Sequence, residues 1–360
     1  MTIHHGGIHV FEPNVHSKWQ VGWKAVSPQC FGEVCTVLGE GYSTYEVQSV
    51  MQIDEWEHAS NNYRVQYGMD GLTHEVLLRR HILQDSGSIR ASTTLIRHLR
   101  HHRIPCPAVL LADGGLRFVE HGGYNWQMFE FVHGDHFRGE ESELTQAATL
   151  IAKMHHVFDT ISPQRWNIVG INEAIGPLDQ ACWGAIHELG GVNDFERFVI
   201  VQRAFIHEYV GRASDALRRV AFKEDLIHGD LHPQNFLFPE CSPCVILDFG
   251  NACFADYRYD IAMALHRLVR QYIVHQARPW RDSILAGVAT FLGAYRTINP
   301  SVEQDVRLLP KFMSAMLFRK MAHNLGLYRK GARSWESCLS QWQRFFGFLD
   351  EVDAFQTVMS

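Results

Sequence analysis

The segment LIHGDLHPQNFLFPECSPCVILDFGNACF, residues 226–254, constrains this chain more than any other stretch. Two short apolar runs, Phe236–Phe238 and Val245–Leu247, bracket a turn containing Ser242 and Pro243, which reads as a β-hairpin. The polar residues gather at its two open ends. His228, Gly229, Asp230 and Asn235 precede the first strand, and Asp248, Phe249 and Gly250 follow the second. The open ends of a hairpin are neighbours in space, so Asp230, Asn235 and Asp248 are expected to converge. Hard oxygen ligands in that number suit Mg²⁺, which takes one or two carboxylates and leaves its other positions to water and phosphate. A further carboxylate facing a hydroxyl can accept its proton.

Composition sets the outer limits. The 360 residues, 46% apolar and 20% charged, suffice for two packed units. A formal net charge of −6 argues against a nucleic-acid partner. No apolar run reaches the length of a spanning helix, and MTIHHGGIHVFEPN lacks the pattern of a secretory leader. No membrane association and a cytoplasmic location are therefore expected. The eight cysteines are scattered, and Cys241 and Cys244 read as part of the hairpin turn rather than a zinc site. Adjacent pairs such as His101-His102 and His155-His156 do not share a helix face, so they chelate poorly.

Along the chain, residues 1–30 show no clear periodicity. Residues 31–44 suit a short helix ending near Gly39–Gly41. Alternation over Tyr45–Ile53, Tyr63–Tyr67 and Glu75–Arg80 predicts strands, the last two joined by a turn at residues 68–71. A helix with one buried face is predicted over residues 88–102, stopping before Pro105. Strands follow at Ala108–Ala112, Leu116–Glu120 and Trp126–Val132. From Glu141 onward helices dominate: one over Glu143–Phe158, another over Asp194–Arg219, and several after Ile261 separated by Pro279, Pro300 and Gly331. Residues 160–195 suit a helical insertion with loops. Late aromatic residues such as Phe291, Phe312 and Trp342 fall at helical spacings and read as core. Strands early and helices late make an α+β chain of two lobes.

HGDLHPQN followed by LDFGNA matches H-x-D-x-x-x-x-N and D-F-G, the kinase catalytic and metal-binding loops. With Gly229 where protein kinases usually carry Arg, it resembles the aminoglycoside phosphotransferase and choline kinase superfamily. Ser60–Val65, Val76–Arg80, Phe129–Gly134 and Tyr259-Asp260-Ile-Ala resemble further segments of that family. The resemblance implies a bilobal protein-kinase-like fold. Residues 1–34 would be an extension, 35–133 a small antiparallel-sheet N-lobe that binds nucleotide, and 134–360 a larger, mainly helical C-lobe holding the catalytic and acceptor sites. It also implies that Asp230 is the catalytic base, that Asn235 and Asp248 hold Mg²⁺, and that Arg79 contacts phosphates. Ser60 and Asn61 would stand at the nucleotide, and Glu130 and Val132 at its base. His228 and His232 read as scaffolding of the catalytic loop, and Asp260 as its support.

The activity so implied is transfer of the γ-phosphoryl group of ATP, or GTP in its place, to a hydroxyl of an aminoglycoside, amino alcohol, sugar or hydroxy amino acid. Two departures support an alternative. Ser92 stands where the family carries a Glu that pairs with the phosphate-binding cation, so Arg79 is expected to lack a partner. Residues 54–60, where a Gly-rich phosphate loop belongs, contain no Gly. They support a pseudokinase that binds a nucleotide or a partner. Separately, SIRASTTLIRHLRHHRIPCP and FEFVHGD resemble the homoserine-kinase-like, spore-coat and stress-response branches, and the last of these keeps a protein Ser/Thr kinase as another alternative. Charge leaves the acceptor open. Residues 261–349 hold 13 Lys/Arg against four Asp/Glu, whereas residues 159–196 hold six Asp/Glu. The first pattern favours an anionic or neutral acceptor and the second a cationic one. Oligomeric state is not legible.

Overall fold

The computed structural model describes residues 22–42, 46–53, 61–69, 71–82, 84–161, 180–217, 220–221, 223–276 and 280–359. The chain is a bilobal α+β protein with an antiparallel sheet in its first part and helices in its second. The strands of the large sheet are β1 (Trp23–Ala25), β2 (Glu46–Ile53), β3 (Asn62–Met69), β4 (Leu72–His81), β5 (Val109–Leu110), β6 (Val119–His121) and β7 (Tyr124–Glu130). They lie in the order β1-β2-β3-β4-β7-β5, with β6 also on β7. The predicted hairpin forms as β3 and β4, pairing Met69 with Leu72 and Asn62 with Arg79. This register sets the Asn62 side chain beside that of Arg79.

Helix α1 (Pro28–Gly41) begins three residues before its predicted start. Ser27 caps it by accepting from the Cys30 N–H at 3.2 Å, and Pro28 occupies the first turn, where its missing N–H costs nothing. Trp23–Ala25, read as aperiodic, is held as an edge strand by β2 rather than by any pattern of its own. Val34, Val37 and Leu38 of α1 pack with Val50, Val65, Val76, Leu78 and Trp126 in a small core of the sheet lobe.

Helix α2 (Ser86–His101) starts at an Asp85 cap that accepts the Ser88 N–H at 2.7 Å. His98, Arg100 and His101 in its last turn suit the negative end of the helix dipole. Its buried Leu95, Ile96 and Leu99 join the larger core, not the sheet's own. The helix thus ties the sheet lobe to the helical lobe.

The helical lobe contains α3 (Glu141–Phe158), α4 (Gln180–His187), α5 (Asp194–Leu217), α6 (Tyr257–Ala264), α7 (Arg270–His275), α8 (Trp280–Arg296), α9 (Leu309–Arg329) and α10 (Trp335–Met359). Glu143 opens α3 by accepting from the backbone N–H groups of Arg138, Gly139 and Glu140. A capping box of this kind is worth about 1 kcal/mol. Phe291, Phe312, Phe318, Trp342 and Phe346 are buried, as their spacing predicts. Fully burying such a side chain contributes roughly 1.5–3 kcal/mol. Between α6 and α7 the chain forms a π-helical turn, Leu265–Val269, that no periodicity announced.

Five short strands complete the region of interest. β8 (Asp135–His136), β10 (Phe236–Phe238) and β11 (Val245–Ile246) form one small sheet. β9 (Asp225–Ile227) pairs with β12 (Cys253–Ala255). Among the described residues no helix is long and apolar enough to cross a membrane.

Candidate active site

The β10–β11 hairpin forms as read, with Phe236 opposite Ile246. The Leu247 N–H donates to the Asn235 carbonyl at 2.9 Å, extending the pairing by one bond to the polar end. There the two segments meet. Asp230 and Asp248 lie close enough that each carboxylate's charge acts on the other. The Asn235 amide N–H donates to the Asp230 carbonyl at 2.8 Å. That bond commits the amide nitrogen and leaves the amide oxygen as the group that can meet a cation.

The loop before Asp230 is held from below by Asp260, which is fully buried on α6. Its carboxylate accepts the His228 N–H at 2.6 Å and the Gly229 N–H at 2.8 Å. His155 of α3 braces the same carboxylate at 3.2 Å and reaches the Tyr295 hydroxyl at 2.8 Å with its other nitrogen. The His228 ring is also buried. Its Nε2–H donates to the Leu247 carbonyl at 2.8 Å, so Nδ1 is the acceptor that meets the Asp230 N–H at 3.3 Å. This one ring therefore couples the two ends of the hairpin. Gly229 has φ +79°, and a Cβ there would lie 2.5 Å from the Asn251 carbonyl oxygen. Both facts exclude any larger residue in this backbone, which explains Gly where protein kinases usually carry Arg.

Asp248 is one of two non-glycine residues with positive φ among the described residues (φ 59°, ψ 73°). Such a conformation costs of order 1 kcal/mol and persists where the surroundings impose it. Here the Arg79 guanidinium bonds Asp248 Oδ1 at 2.8 Å. Arg79 Nε donates to Asn62 Oδ1, also at 2.8 Å. The expectation that Arg79 lacks a partner is therefore corrected. Ser92 does not supply one, since its hydroxyl bonds the Ile89 carbonyl of its own helix. The cation is instead divided between the opposite strand and the far lobe. A cleft lined by Leu77, Arg79, Ile96, Phe129, Asp248 and Phe249 opens between β4, β7, α2 and the end of the hairpin. Gln84 closes it by donating to the Gly250 carbonyl at 2.7 Å.

A comparison with family models matches residues 55–297 to the phosphotransferase enzyme family. The chain belongs to that family. A homoserine kinase of Sinorhizobium medicae (strain WSM419) is 24% identical over 218 residues, 60% of this chain and 61% of that protein. The chain thus spans about three fifths of that relative's length. Solved structures of similar fold include a microcompartment-associated aminopropanol kinase, with TM-score 0.64 and 19% identity over 90% of this chain and 98% of that one. An amicoumacin kinase in complex with AMP-PNP, Ca²⁺ and Ami gives 0.62 and 15% over 91% and 94%. A spectinomycin phosphotransferase in complex with ADP and spectinomycin gives 0.60 and 13% over 91% and 98%. At these identities the structures speak for the fold.

Electrostatics at the phosphotransferase's hairpin are dominated by burial and by nearby cations. Burial pushes the Asp230 carboxyl up, but His232, Lys320 and His228 together outweigh it and hold it below the usual carboxylate range. Burial likewise opposes ionisation of Asp248, and Arg79 overcomes it. His232 places Nε2 3.4 Å from Asp230 Oδ2 and Nδ1 2.7 Å from Gln234 Oε1, which ties it to Asp230 as the sequence suggested. Lys320 of α9 sets its ammonium 3.9 Å from Asp230 Oδ1.

The other expected site residues are distributed unequally. Ser60 lies outside the described residues, as does the Gly-poor segment 54–60. Asn61 spends its side-chain oxygen on Arg80, at 3.1 and 3.3 Å, and does not line the cleft. The Glu130 carboxylate accepts from Arg100 and from the Ala108 N–H, and its own N–H bonds the Ala108 carbonyl. Its carboxylate and its N–H are thus used within the fold. Val132, half-buried in the connector after β7, has no backbone hydrogen bond with another described residue. Cys241 is exposed and Cys244 buried in the hairpin turn, and no metal-holding cluster of His, Cys, Asp and Glu exists among the described residues. The sequence reading missed Asn62, Gln84 and Lys320. Asn62 was findable from the β3–β4 register, whereas nothing local marked the other two.

Proposed function

We propose that this phosphotransferase moves the γ-phosphoryl group of ATP to the hydroxyl of a small molecule. The acceptor oxygen forms a bond to the γ-phosphorus, the bond from that phosphorus to the bridging oxygen breaks, and ADP leaves. The hydroxyl proton passes to Asp230. The observation that carries this reading is the convergence of Asp230, Asn235 and Asp248, with Arg79 bridging the two lobes onto Asp248.

Asn235 and Asp248 offer one amide oxygen and one carboxylate, a donor set that fits Mg²⁺ because that ion keeps water and phosphate as its remaining ligands. When bound, Mg²⁺ would supply charge neutralisation at the phosphates. Arg79 suits a phosphate clamp, since a guanidinium binds oxyanions in bidentate fashion and already sits at the cleft. The free backbone groups of Val132 suit the edge of a nucleotide base. Asp230 is a weak base because the cations around it stabilise its charged form. Its main contribution is therefore to orient the hydroxyl, with the proton moving late in a loose transition state.

The test is transfer of labelled γ-phosphate from MgATP to a panel of amino alcohols, aminoglycosides, sugars and hydroxy amino acids. Asp230→Asn is expected to lower turnover by roughly 100-fold or more. A variant with wild-type turnover removes Asp230 from the reaction. Failure of every acceptor, with no thermal stabilisation by MgATP, would favour a binding protein without transferase activity.

A further inference from the structure

On the acceptor side of Asp230 the charges do not balance. Lys320 stands 3.9 Å from Asp230 Oδ1. Arg267 lies in the π-helical turn between α6 and α7, within electrostatic reach of both Asp230 and Lys320. Such turns are rare and recur at functional sites, because the extra residue re-aims a side chain. The neighbours of Arg267 in and after the turn are committed. His266 Nε2 and Arg270 Nε meet the buried Glu351 carboxylate at 3.1 and 2.9 Å. Arg267 has no carboxylate within ion-pair distance among the described residues, and its guanidinium rests over the Phe348 ring at 4.9 Å. Glu351 also acts on Arg267 but is shared by His266 and Arg270, and Arg319 and Arg344 add further cations, so positive charge exceeds negative beside Asp230.

The acidic insertion does not reverse this balance. Glu196 accepts the Tyr328 hydroxyl at 2.7 Å and the N–H groups of Gly190 and Val192 at 3.1 Å. Glu188 pairs with Arg329 at 2.6 Å. Glu196 is thus buried and holds α5 to α9, while Glu188, between α4 and α5, is tied to Arg329 at the surface.

We infer that Lys320 and Arg267 form an anion subsite beside Asp230, and that the acceptor is a small hydroxy compound carrying one carboxylate. The inference rests on the phosphotransferase reading and narrows its substrate. An excess of positive charge beside the base suits an anionic acceptor. A guanidinium accepts a carboxylate on two parallel hydrogen bonds, and an ammonium adds a point charge. A polycationic acceptor would meet like charge instead. Burial, then the repulsion of Arg267, brings Lys320 down to about 8, partly offset by Asp230. Burial, then Arg270, brings Arg267 down to about 10. Cations short of counter-charge respond in this direction, and an incoming carboxylate would relieve both. Lys320 keeps a side-chain exposure of 35%, so solvent tempers the effect without changing its sign.

The experiment is initial-rate kinetics with MgATP on matched acceptors: serine, homoserine and glycerate, their methyl esters, the corresponding amino alcohols, glycerol phosphate and an aminoglycoside. The acids are expected to exceed their esters in kcat/KM by roughly 10- to 100-fold, the span of one charge-assisted contact. Lys320→Met and Arg267→Met should remove that preference through KM, and Lys320→Arg should restore much of it. Esters or amino alcohols that equal the acids would overturn the inference, and so would a preference for glycerol phosphate. Variants that lower kcat equally on every acceptor would assign Lys320 to the transferred phosphoryl group and overturn it as well. Should nothing accept phosphate, the phosphotransferase reading fails by itself. Calorimetric titration of acids and esters in the presence of MgADP then still decides the subsite. Acids that bind better than esters, with the difference lost in Lys320→Met, support it, and equal affinities reject it.

Discussion

Replacing Asp260 by Asn tests whether the catalytic loop is held from below. The side chain keeps its shape and loses one oxygen. Asp260 uses both oxygens, Oδ2 for the His228 N–H at 2.6 Å and Oδ1 for the Gly229 N–H at 2.8 Å. An Asn amide has only one acceptor. Whichever way it is turned, its NH₂ faces a backbone N–H, and that donor is left buried and unpaired. The orphaned N–H costs about 1–3 kcal/mol, and losing the charge from the remaining bond costs about 1 kcal/mol more. A total of roughly 2–4 kcal/mol lowers the melting temperature of a unit this size by about 5–10 °C. The loop also carries Asp230, and a displacement of about 1 Å at a reacting group costs on the order of 100-fold in rate. Thermal melting and steady-state kinetics on the purified Asp260→Asn variant measure both effects. Loss of kcat with little change in KM for ATP is expected, because Arg79 and the cleft are untouched. A variant with wild-type melting temperature and kcat would refute the argument that these two hydrogen bonds position the base.

Gly229→Ala should lower kcat by roughly 100-fold with near-normal ATP binding, since its Cβ would lie 2.5 Å from the Asn251 carbonyl oxygen and displace the loop; kinetics beside nucleotide titration separate the two. Arg79→Met should raise KM for MgATP by roughly 10- to 100-fold, through loss of charge-assisted contacts to phosphate, and unchanged ATP affinity would remove Arg79 from the nucleotide site. With a carboxylate acceptor, kcat/KM should fall as pH rises through about 8, where free Lys320 loses its proton. The sign follows from charge: the protonated ammonium attracts the anion and the neutral amine does not. In Lys320→Arg the fall should move out of the accessible range.

Much of the site was legible because its parts lie within one hairpin. Asp230, Asn235 and Asp248 are separated by few residues, and antiparallel pairing leaves almost no freedom in how the two ends meet. The α3 helix and the β3–β4 hairpin were legible for the same reason, since their signals are periodic and local. Boundaries slipped where chemistry at single residues decides them. The Ser27-Pro28 start of α1 and the Asp85 cap of α2 each moved a helix start by two or three residues. Trp23–Ala25 carried no pattern, because an edge strand of three residues takes its conformation from the strand beside it.

The order of polar and apolar residues along this chain was enough to determine two lobes, a hairpin and a convergent set of acidic and amide side chains. The match of HGDLHPQN and DFG to kinase loops, a resemblance, connected them to phosphoryl transfer. Tertiary structure alone decided what surrounds them. Arg79, expected to lack a partner because Ser92 stands on α2, found Asn62 on the neighbouring strand and Asp248 across the cleft. Lys320 reached Asp230 from a helix 90 residues away, and Glu196 of the acidic insertion was taken up by Tyr328. A local pattern records which groups a segment presents. The charge that an acceptor meets is a sum over segments brought together only by packing, and no spacing in the sequence carries that sum.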